Sequence, residues 1–456
     1  MNRKLFGTDG IRGKANIYPM TGEVAFLLGR AVTFYFQKIN SLKTKRKNPL
    51  IIIGKDTRLS CYMLEQAFSA GVCAQGGKAV LTGPFPTPGV AFVTDSMRAD
   101  AGVMISASHN TFYDNGIKIF NHDGNKLPDS VELELEKLIF NPELMEVKVE
   151  DQLGRAQRLD EVIGRYIVHA KSAYTLDSTL DGMRIVVDCA NGAGYKIAPM
   201  ILEELGAEVI KLGVSPNGVN INLNCGALHP GECSKAVLNY RADLGICLDG
   251  DADRVIMIDE KGEVIHGDVL IGLLSKYLSH RNQLGGVSHV VGTQMTNSGL
   301  ENYLESLSID FSRAKVGDRY ISEKMKETGA VFGGEPSGHL IFKDHSTTGD
   351  GILAALKVLE CVNYYSKSLH SLSKEVILYP QLLENVSVKE KKPLEKLSQV
   401  QSAIEKVEEK LSGKGRVLVR YSGTESIVRV MVEGENKTKL QKYADEIVKA
   451  FKSELG

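Results

Sequence analysis

The sequence predicts an α/β protein: three related α/β domains with mixed or parallel sheets, then a smaller α+β domain at the C-terminus. Two observations carry this. A unit of apolar strand, small or polar turn, amphipathic helix and second apolar strand occurs three times, and the last eighty residues change character. At 456 residues the chain is long enough for three or four domains of ordinary size.

The first unit runs "PLIIIGKDTR", helix "YMLEQAFSAGVCAQ", then "GGKAVLTG". The second is "MRIVVDCANGAG" followed by "YKIAPMILEELGAEVIKLG", in which Met200, Ile201 and Leu205 share one helical face. The third is "SHVVGTQMTNSG" followed by "LENYLESLSIDF". Two strands separated by a helix imply parallel pairing with a right-handed crossover. In the tail, from about Val376, strands outnumber helices, and the two strands flanking "YSGTES" are close enough to pair. Boundaries are expected at the polar stretch Gln157–Asp160, the turn Asp259–Gly262 and the Ser-rich region Ser366–Ser373. They divide the chain into domains 1–158, 159–258, 259–375 and 376–456.

Composition narrows the function. A net charge of −1 argues against a general nucleic-acid or anionic-membrane surface, and the basic run Lys43–Lys47 reads as a solvated loop. Seven cysteines without a CxxC pair fit reduced thiols and offer no zinc site. The N-terminus lacks an apolar signal region and no stretch is long enough to span a bilayer, so a cytoplasmic protein is expected.

The stretch "LGICLDGDADRVIMID" is the most informative. Asp249, Asp251 and Asp253 alternate at the tip between two apolar runs, so an extended tip points them the same way. Three converging carboxylates repel unless a cation neutralises them, and oxygen-only ligands suit Mg²⁺ or Ca²⁺. An EF-hand does not fit, because Arg254 takes the position of the required glycine and "VIMI" reads as a strand. The plain alternative is a solvated acidic turn. Arg254 beside the acids suits a phosphate that also meets the metal, or else a simple surface ion pair.

"VLVRYSGTES" places Arg420 at a strand end before Ser422, Gly423 and Thr424, with Arg429 on the next strand. Such a turn either cradles an anion or is an ordinary hairpin. "FGGEPSGHLIF" gathers Glu335, Ser337 and His339 in a Gly-rich loop suited to sugar hydroxyls, and equally to a polar turn. "FGTDGIRG", "SASHN" and "VGDRY" are weak singly, and neither a Walker A signature nor a G-x-G-x-x-G fingerprint is present.

Taken in this order, "FGTDGIRG", "SASHN", "DGDADR", "GGEPSGH" and "RYSGTES" resemble the α-D-phosphohexomutase superfamily over essentially the whole chain. Further pieces, "FYDNGIK", "CANGAGYKIAP", "PNGVNIN" and "VGDRYI", resemble its bacterial phosphoglucosamine mutase branch. The resemblance implies four domains around a central cleft and reversible phosphoryl transfer between O6 and O1 of a hexose phosphate. Glucosamine 6-phosphate is the implied substrate, with glucosamine 1,6-bisphosphate as intermediate and activator. By the same resemblance Ser108 carries the phosphate, and Mg²⁺ sits on Asp249, Asp251, Asp253 and the phosphorylated Ser108. Arg254 and Arg12 line the reacting centre, and Lys118 and His339 move protons. Glu335 and Ser337 bind the sugar; Arg420, Ser422, Gly423, Thr424 and Arg429 hold the non-reacting phosphate. A homodimer is the assembly the resemblance allows.

The sequence departs from the family pattern at Ala252, where glycine is common, and at Thr111, Pro336, Tyr421 and Ser426. Three other readings stand beside this one. The first is the same chemistry on glucose or mannose phosphate. The second is a haloacid-dehalogenase-like phosphatase with Asp249 as nucleophile. The third is a sugar-phosphate sensor without turnover.

Overall fold

The structure is a computed structural model describing residues 4–7, 9–43, 48–175, 179–412, 414–421 and 427–455. The basic run expected to be a solvated loop lies outside the described residues except for Lys43, the last residue of helix Gly22–Lys43.

Four sheets organise the described chain, and they bear out the expected fold class. The first has seven strands in the order Phe6–Gly7, Gly10–Lys14, Asp114–Asn121, Ala101–Ile105, Leu50–Lys55, Lys78–Pro84 and Arg155–Arg158. Leu50–Lys55 pairs in parallel with Ala101–Ile105 and Lys78–Pro84, as the strand–helix–strand pattern requires. The strands bearing Arg12 and Lys118 are added antiparallel. Because Ile51 and Ile53 alternate with Ile52, each face of this strand meets helices. Helices Gly22–Lys43 and Leu59–Ala74 cross closely at two glycines. A Cβ on Gly29 would stand 2.2 Å from the Phe68 carbonyl oxygen, and one on Gly71 2.0 Å from that of Phe26.

The second sheet has the order Val264–Ile265, Val255–Asp259, Leu244–Leu248, Arg184–Asp188 and Glu208–Leu212, and its last three strands are parallel. Val255–Asp259 is the strand that the "VIMI" run predicted, and it folds back antiparallel on Leu244–Leu248. Asp249 to Arg254 therefore form the connection at one end of a hairpin. The third sheet runs Asp310–Ala314, His289–Thr293, Phe332–Gly334 and Leu340–Phe342. These three sheets belong to one compact unit, residues 1–295 and 310–375.

The second unit, residues 296–309 and 376–456, holds the fourth sheet. Its strands Gln381–Ser387, Ile427–Gly434 and Gly415–Tyr421 are all antiparallel, and the last two are the predicted pair around "YSGTES". Helices Ser398–Leu411 and Lys437–Leu455 cover it, burying Val428, Val430, Val432, Ile447 and Phe451. Buried Glu433 accepts the Ser298 backbone N–H (2.8 Å), which ties helix Ser298–Ser306 to this sheet.

In the first unit, one helix start fixes the backbone of the loop Asp249–Arg254. Asp350 caps helix Gly351–Tyr365, accepting the N–H groups of Ile352 (3.1 Å) and Leu353 (2.9 Å) and the Tyr166 hydroxyl (2.8 Å). The first N–H of that helix, from Gly351, donates to the Ala252 carbonyl at 3.0 Å. Burial pushes the Asp350 carboxyl up to about 6 against the pull of its donors. The folded state therefore binds this proton more tightly than the unfolded chain. Its contribution is greatest below the unfolded value near 4 and is lost as pH rises through about 6. Asp350→Asn, which keeps a capping oxygen, is expected to flatten the dependence of stability on pH between about 4 and 6. Urea denaturation of both proteins across that range checks this; parallel curves would contradict it.

Candidate active site

The peptide after strand Ala101–Ile105 turns sharply at Ser108, which is buried and left-handed with φ +50°. A non-glycine residue in this conformation costs about 1 kcal/mol, so the surrounding bonds must hold it. Ser106 Oγ accepts the Ser108 N–H at 2.9 Å, which makes Ser106 the brace of the turn. The carbonyls of Ser108 and Asn110 are each held twice. Asn222 Nδ2 donates to them at 2.9 and 2.8 Å, and Arg58 Nη2 at 3.2 and 2.5 Å. Arg58 is fully buried, and Asp56 neutralises it. Held this way, Ser108 Oγ donates to Asp249 Oδ2 at 2.6 Å and lies 3.4 Å from His109 Nδ1.

Asp249, Asp251 and Asp253 are all buried, and one carboxylate oxygen from each lies within 4.8 Å of the others. Ala252 between them has φ +58°, the conformation for which glycine is favoured. Burial and the charges of Asp253 and Asp251 push the Asp249 carboxyl well above the usual carboxylate range. Burial acts on Asp253 in the same sense, but Lys118, His339 and Arg254 hold it well below. Asp251 Oδ2 accepts from Thr87 Oγ1 (2.6 Å) and Lys118 Nζ (2.9 Å). Its other oxygen, like Asp253 Oδ1, is buried without a hydrogen-bond partner among the described residues.

These features fit a hard divalent cation. The donors are all oxygen, two of them have no hydrogen-bond partner, and the local charge asks for it. Asp9, Asp249, Asp251, Asp253, Asp318 and Glu335 face Arg12, Lys118, Lys126 and Arg254, an excess of two negative charges with His339 neutral.

Lys118 is buried, with its ammonium 2.9 Å from Asp251, 3.3 Å from Asp253 and 3.6 Å from Asp9. Burial opposes its charge, but these carboxylates raise its pKa well above the ordinary lysine value, so it stands as a charged ammonium and hydrogen-bond donor. Arg12 pairs with Asp9 at 2.5 Å. Arg254 lies 3.8 Å from Asp253 and 3.7 Å from Glu335. Glu335 accepts the Ser337 hydroxyl at 2.6 Å. Gly338 makes this turn possible: its φ is +86°, and a Cβ there would stand 1.9 Å from the Val255 carbonyl oxygen. His339 Nδ1 is 3.7 Å from Asp253, while Nε2 accepts the Gly349 N–H at 3.0 Å. Burial lowers its proton affinity, and the surrounding carboxylates, led by Asp253, raise it on balance. The Gly349 bond sets the neutral ring as the Nδ1–H tautomer, and protonation would forfeit that bond.

A cavity of about 450 Å³ opens on this cluster, lined by Arg12, Ser108, Asp253, Arg254, Glu335 and His339 among others. Lys118, Asp249 and Asp251 are not among its lining residues, and Ser337 reaches it through Glu335. The predicted residues of the first unit thus converge. In the second unit, Arg420 and Arg429 are direct cross-strand partners. Ser422, Gly423 and Thr424 lie outside the described residues.

The sequence reading missed Asp9 and Asp318, which also line the cavity, although both belong to motifs it had marked as weak. It also missed His109, Thr87, Arg58 and Asn222. The signal for the last was its place in "PNGVNIN", and Arg58 had none beyond ending the "GKDTR" turn.

The sequence matches the phosphoglucomutase/phosphomannomutase family along its length. The α/β/α domains I, II and III match residues 3–146, 164–262 and 266–379, and the C-terminal domain matches residues 383–450. A phosphoglucosamine mutase of Lawsonia intracellularis is 49% identical over 448 residues, covering 98% of each chain. One of Pelobacter propionicus is 50% identical, covering 100% of this chain and 99% of its own. Among solved structures, a phosphoglucomutase/phosphomannomutase family protein from Burkholderia thailandensis shares the fold with TM-score 0.81 and 22% identity, covering 98% of this chain and 97% of its own. The N-acetylphosphoglucosamine mutase of Aspergillus fumigatus, solved with GlcNAc-6P and magnesium, does so with TM-score 0.68 and 16% identity, covering 98% and 95%. With its full length matched by relatives near half identity, the chain belongs to the phosphoglucomutase/phosphomannomutase family and, within it, to the phosphoglucosamine mutases.

Proposed function

We propose that this chain interconverts glucosamine 6-phosphate and glucosamine 1-phosphate through a phosphoserine at Ser108 and a glucosamine 1,6-bisphosphate, in the cytoplasm, on the route to UDP-N-acetylglucosamine. The observation that carries the reading is the Ser108 hydroxyl 2.6 Å from Asp249, at the point where a buried carboxylate triad meets a cavity lined by Arg12 and Arg254 among others. The names borne by the relatives support the amino sugar over glucose or mannose phosphate. The four-domain division at 158, 258 and 375 and a homodimeric assembly belong to the same proposal.

In the first half-reaction the bond from phosphorus to Ser108 Oγ breaks, a bond to O6 or O1 of the sugar forms, and the proton given up by the sugar hydroxyl ends on Ser108 Oγ. In the second, the other phosphate of the bisphosphate returns to Ser108 Oγ, its bond to the sugar oxygen breaks, and the Ser108 hydroxyl proton ends on that vacated oxygen. Arg12 and Arg254 bind the phosphoryl oxygens through their guanidinium groups. Lys118, held as an ammonium, donates hydrogen bonds at Nζ that offset developing negative charge, and the relay of protons to and from the sugar hydroxyls is assigned to Lys118 and His339 on family resemblance. Glu335 and Ser337 orient the sugar hydroxyls. Arg420, Ser422, Gly423, Thr424 and Arg429 are assigned the non-reacting phosphate on family resemblance. Mg²⁺, held by Asp249, Asp251, Asp253 and an oxygen of the phosphorylated Ser108, would supply the positive charge that neutralises the transferring group.

Turnover followed by ³¹P NMR with Mg²⁺ and the matching 1,6-bisphosphate is expected to favour glucosamine 6-phosphate over glucose and mannose 6-phosphates. Ser108→Ala should lose roughly 10³-fold or more of the rate. Preference for another sugar would change the substrate alone, whereas full activity of Ser108→Ala would remove the mechanism. The phosphoenzyme should resist hydroxylamine; its loss would point to an aspartyl phosphate and the phosphatase reading.

Saturating Mg²⁺ should raise stability by about 2.7 kcal/mol at a hundredfold excess over Kd, since it binds only the assembled triad. Thermal unfolding with Mg²⁺ and with EDTA measures this. Asp251→Asn is expected to lose most of the Mg²⁺-dependent shift, and an undiminished shift would place the ion elsewhere.

A further inference from the structure

Lys126 has no part in the reaction above, yet it is tied to two walls of the cavity. It lies in the turn between strand Asp114–Asn121 and helix Asp129–Phe140, with its side chain 17% exposed. Its ammonium binds Asp9 Oδ1 and, at 2.6 Å, Asp318 Oδ2. Asp9 precedes strand Gly10–Lys14 of the first sheet, and Asp318 opens helix Asp318–Thr328 beside the third. Both carboxylates line the cavity, whereas Lys126 stands behind them. The turn that carries Lys126 is joined again to the side of Asp318 nearby, where Thr347 Oγ1 donates to the Gly124 carbonyl (2.7 Å) and Arg319 pairs with Asp129.

Asp9 is shared. Its Oδ1 goes to Lys126, and its Oδ2 meets Arg12 at 2.5 Å and Lys118 at 3.6 Å. Without Lys126, Oδ1 would lose the cation that turns it away, and Asp9 would be drawn with both oxygens onto Arg12 and Lys118. Asp318 would meanwhile lose the ammonium that neutralises it, keeping the Arg319 N–H (2.7 Å) and the His339 ring 3.7 Å away, in the wall of a cavity that receives a phosphate dianion. Either change withdraws positive charge from the reacting centre.

We infer that Lys126 is a positioning residue: by binding Asp9 and Asp318 together it fixes the wall 316–320 against the wall 9–12 and keeps Arg12 and Lys118 turned toward the phosphoryl group. The inference rests on the mutase reading given above. The strut itself has a readout that does not.

The full-length, Mg²⁺-loaded protein is assayed as wild type, Lys126→Met, Lys126→Arg, Asp318→Asn and the double variant Lys126→Met/Asp318→Asn. Lys126→Met is expected to lower kcat by about 10- to 100-fold with KM changed less than about threefold, because aim is lost and sugar contacts are kept. Lys126→Arg should recover most of this loss, and the double variant should lose no more than Lys126→Met alone. Amide exchange across 316–320 should speed up several-fold in Lys126→Met and stay near wild type in Lys126→Arg. If Lys126→Met does not fold, Lys126→Gln takes its place. Wild-type kcat in a folded, uncharged variant overturns the inference. So does a loss confined to KM, or one that Arg does not recover and Asp318→Asn multiplies. Absence of turnover in the wild type would sink the mutase reading, while the exchange data would still decide whether Lys126 joins the two walls.

Discussion

Three buried carboxylates with oxygens inside 4.8 Å of one another are the constraint on which the rest of the first unit depends. Two like charges about 4 Å apart repel by about 4 kcal/mol even at an effective dielectric of 20. The hairpin that carries Asp249, Asp251 and Asp253 can close only if cations are brought to it, and its own segment supplies Arg254 alone. Lys118 comes from the first sheet, beside Asp251 and Asp253, and His339 from the edge of the third, beside Asp253. The three layers thus meet at a charge requirement as much as at an apolar core. With His339 neutral, what remains after these partners is an excess of two negative charges, the charge of one divalent cation.

How much of this could be read in the sequence depended on the range of the interaction. The parallel units were legible because a strand such as Leu50–Lys55 and its helix are contiguous, and a continuous apolar run marks burial on both faces. The aspartate triad was legible because three carboxylates lie within five residues, but the extended tip expected of them is a turn with Ala252 left-handed, and that turn is what brings the side chains together. Asp9 and Asp318 were half-visible: their motifs stood out, but nothing in either stretch says that one lysine will bind both. Arg58 and Lys126 were invisible for the same reason, and Asn222 showed only as the last residue of "PNGVNIN". Asn222 meets the Ser108 carbonyl across 114 residues, and Lys126 meets Asp318 across 192. A buried polar residue announces its partner only when the fold has brought it there, and an isolated Arg, Asn or Lys in a loop looks like any solvated one. The departure at Ala252 was legible as a departure. That its φ is +58°, held by the bond from Gly351, required the backbone.

The backbone between these charges carries the other half of the specification. Ser108 and Ala252 both occupy left-handed conformations that cost a side-chain-bearing residue about a kilocalorie each. The two loops also abut closely: a Cβ on Gly250 would stand 2.6 Å from the Ser108 carbonyl oxygen. This contact sets the Ser108 hydroxyl over Asp249 without a long, mobile side chain in between. A phosphoryl donor gains most from fixed placement, since little covalent chemistry is left to the protein once the group and its acceptor are aligned. The doubled hold on the Ser108 and Asn110 carbonyls follows from that demand. Arg58 reaches them from the first layer and Asn222 from the second, so the strained turn is pinned to both layers that form the reacting centre. Strain in the peptide is offset by hydrogen bonds from residues that never meet the substrate, and the serine is left with one orientation in which to accept and return a phosphate.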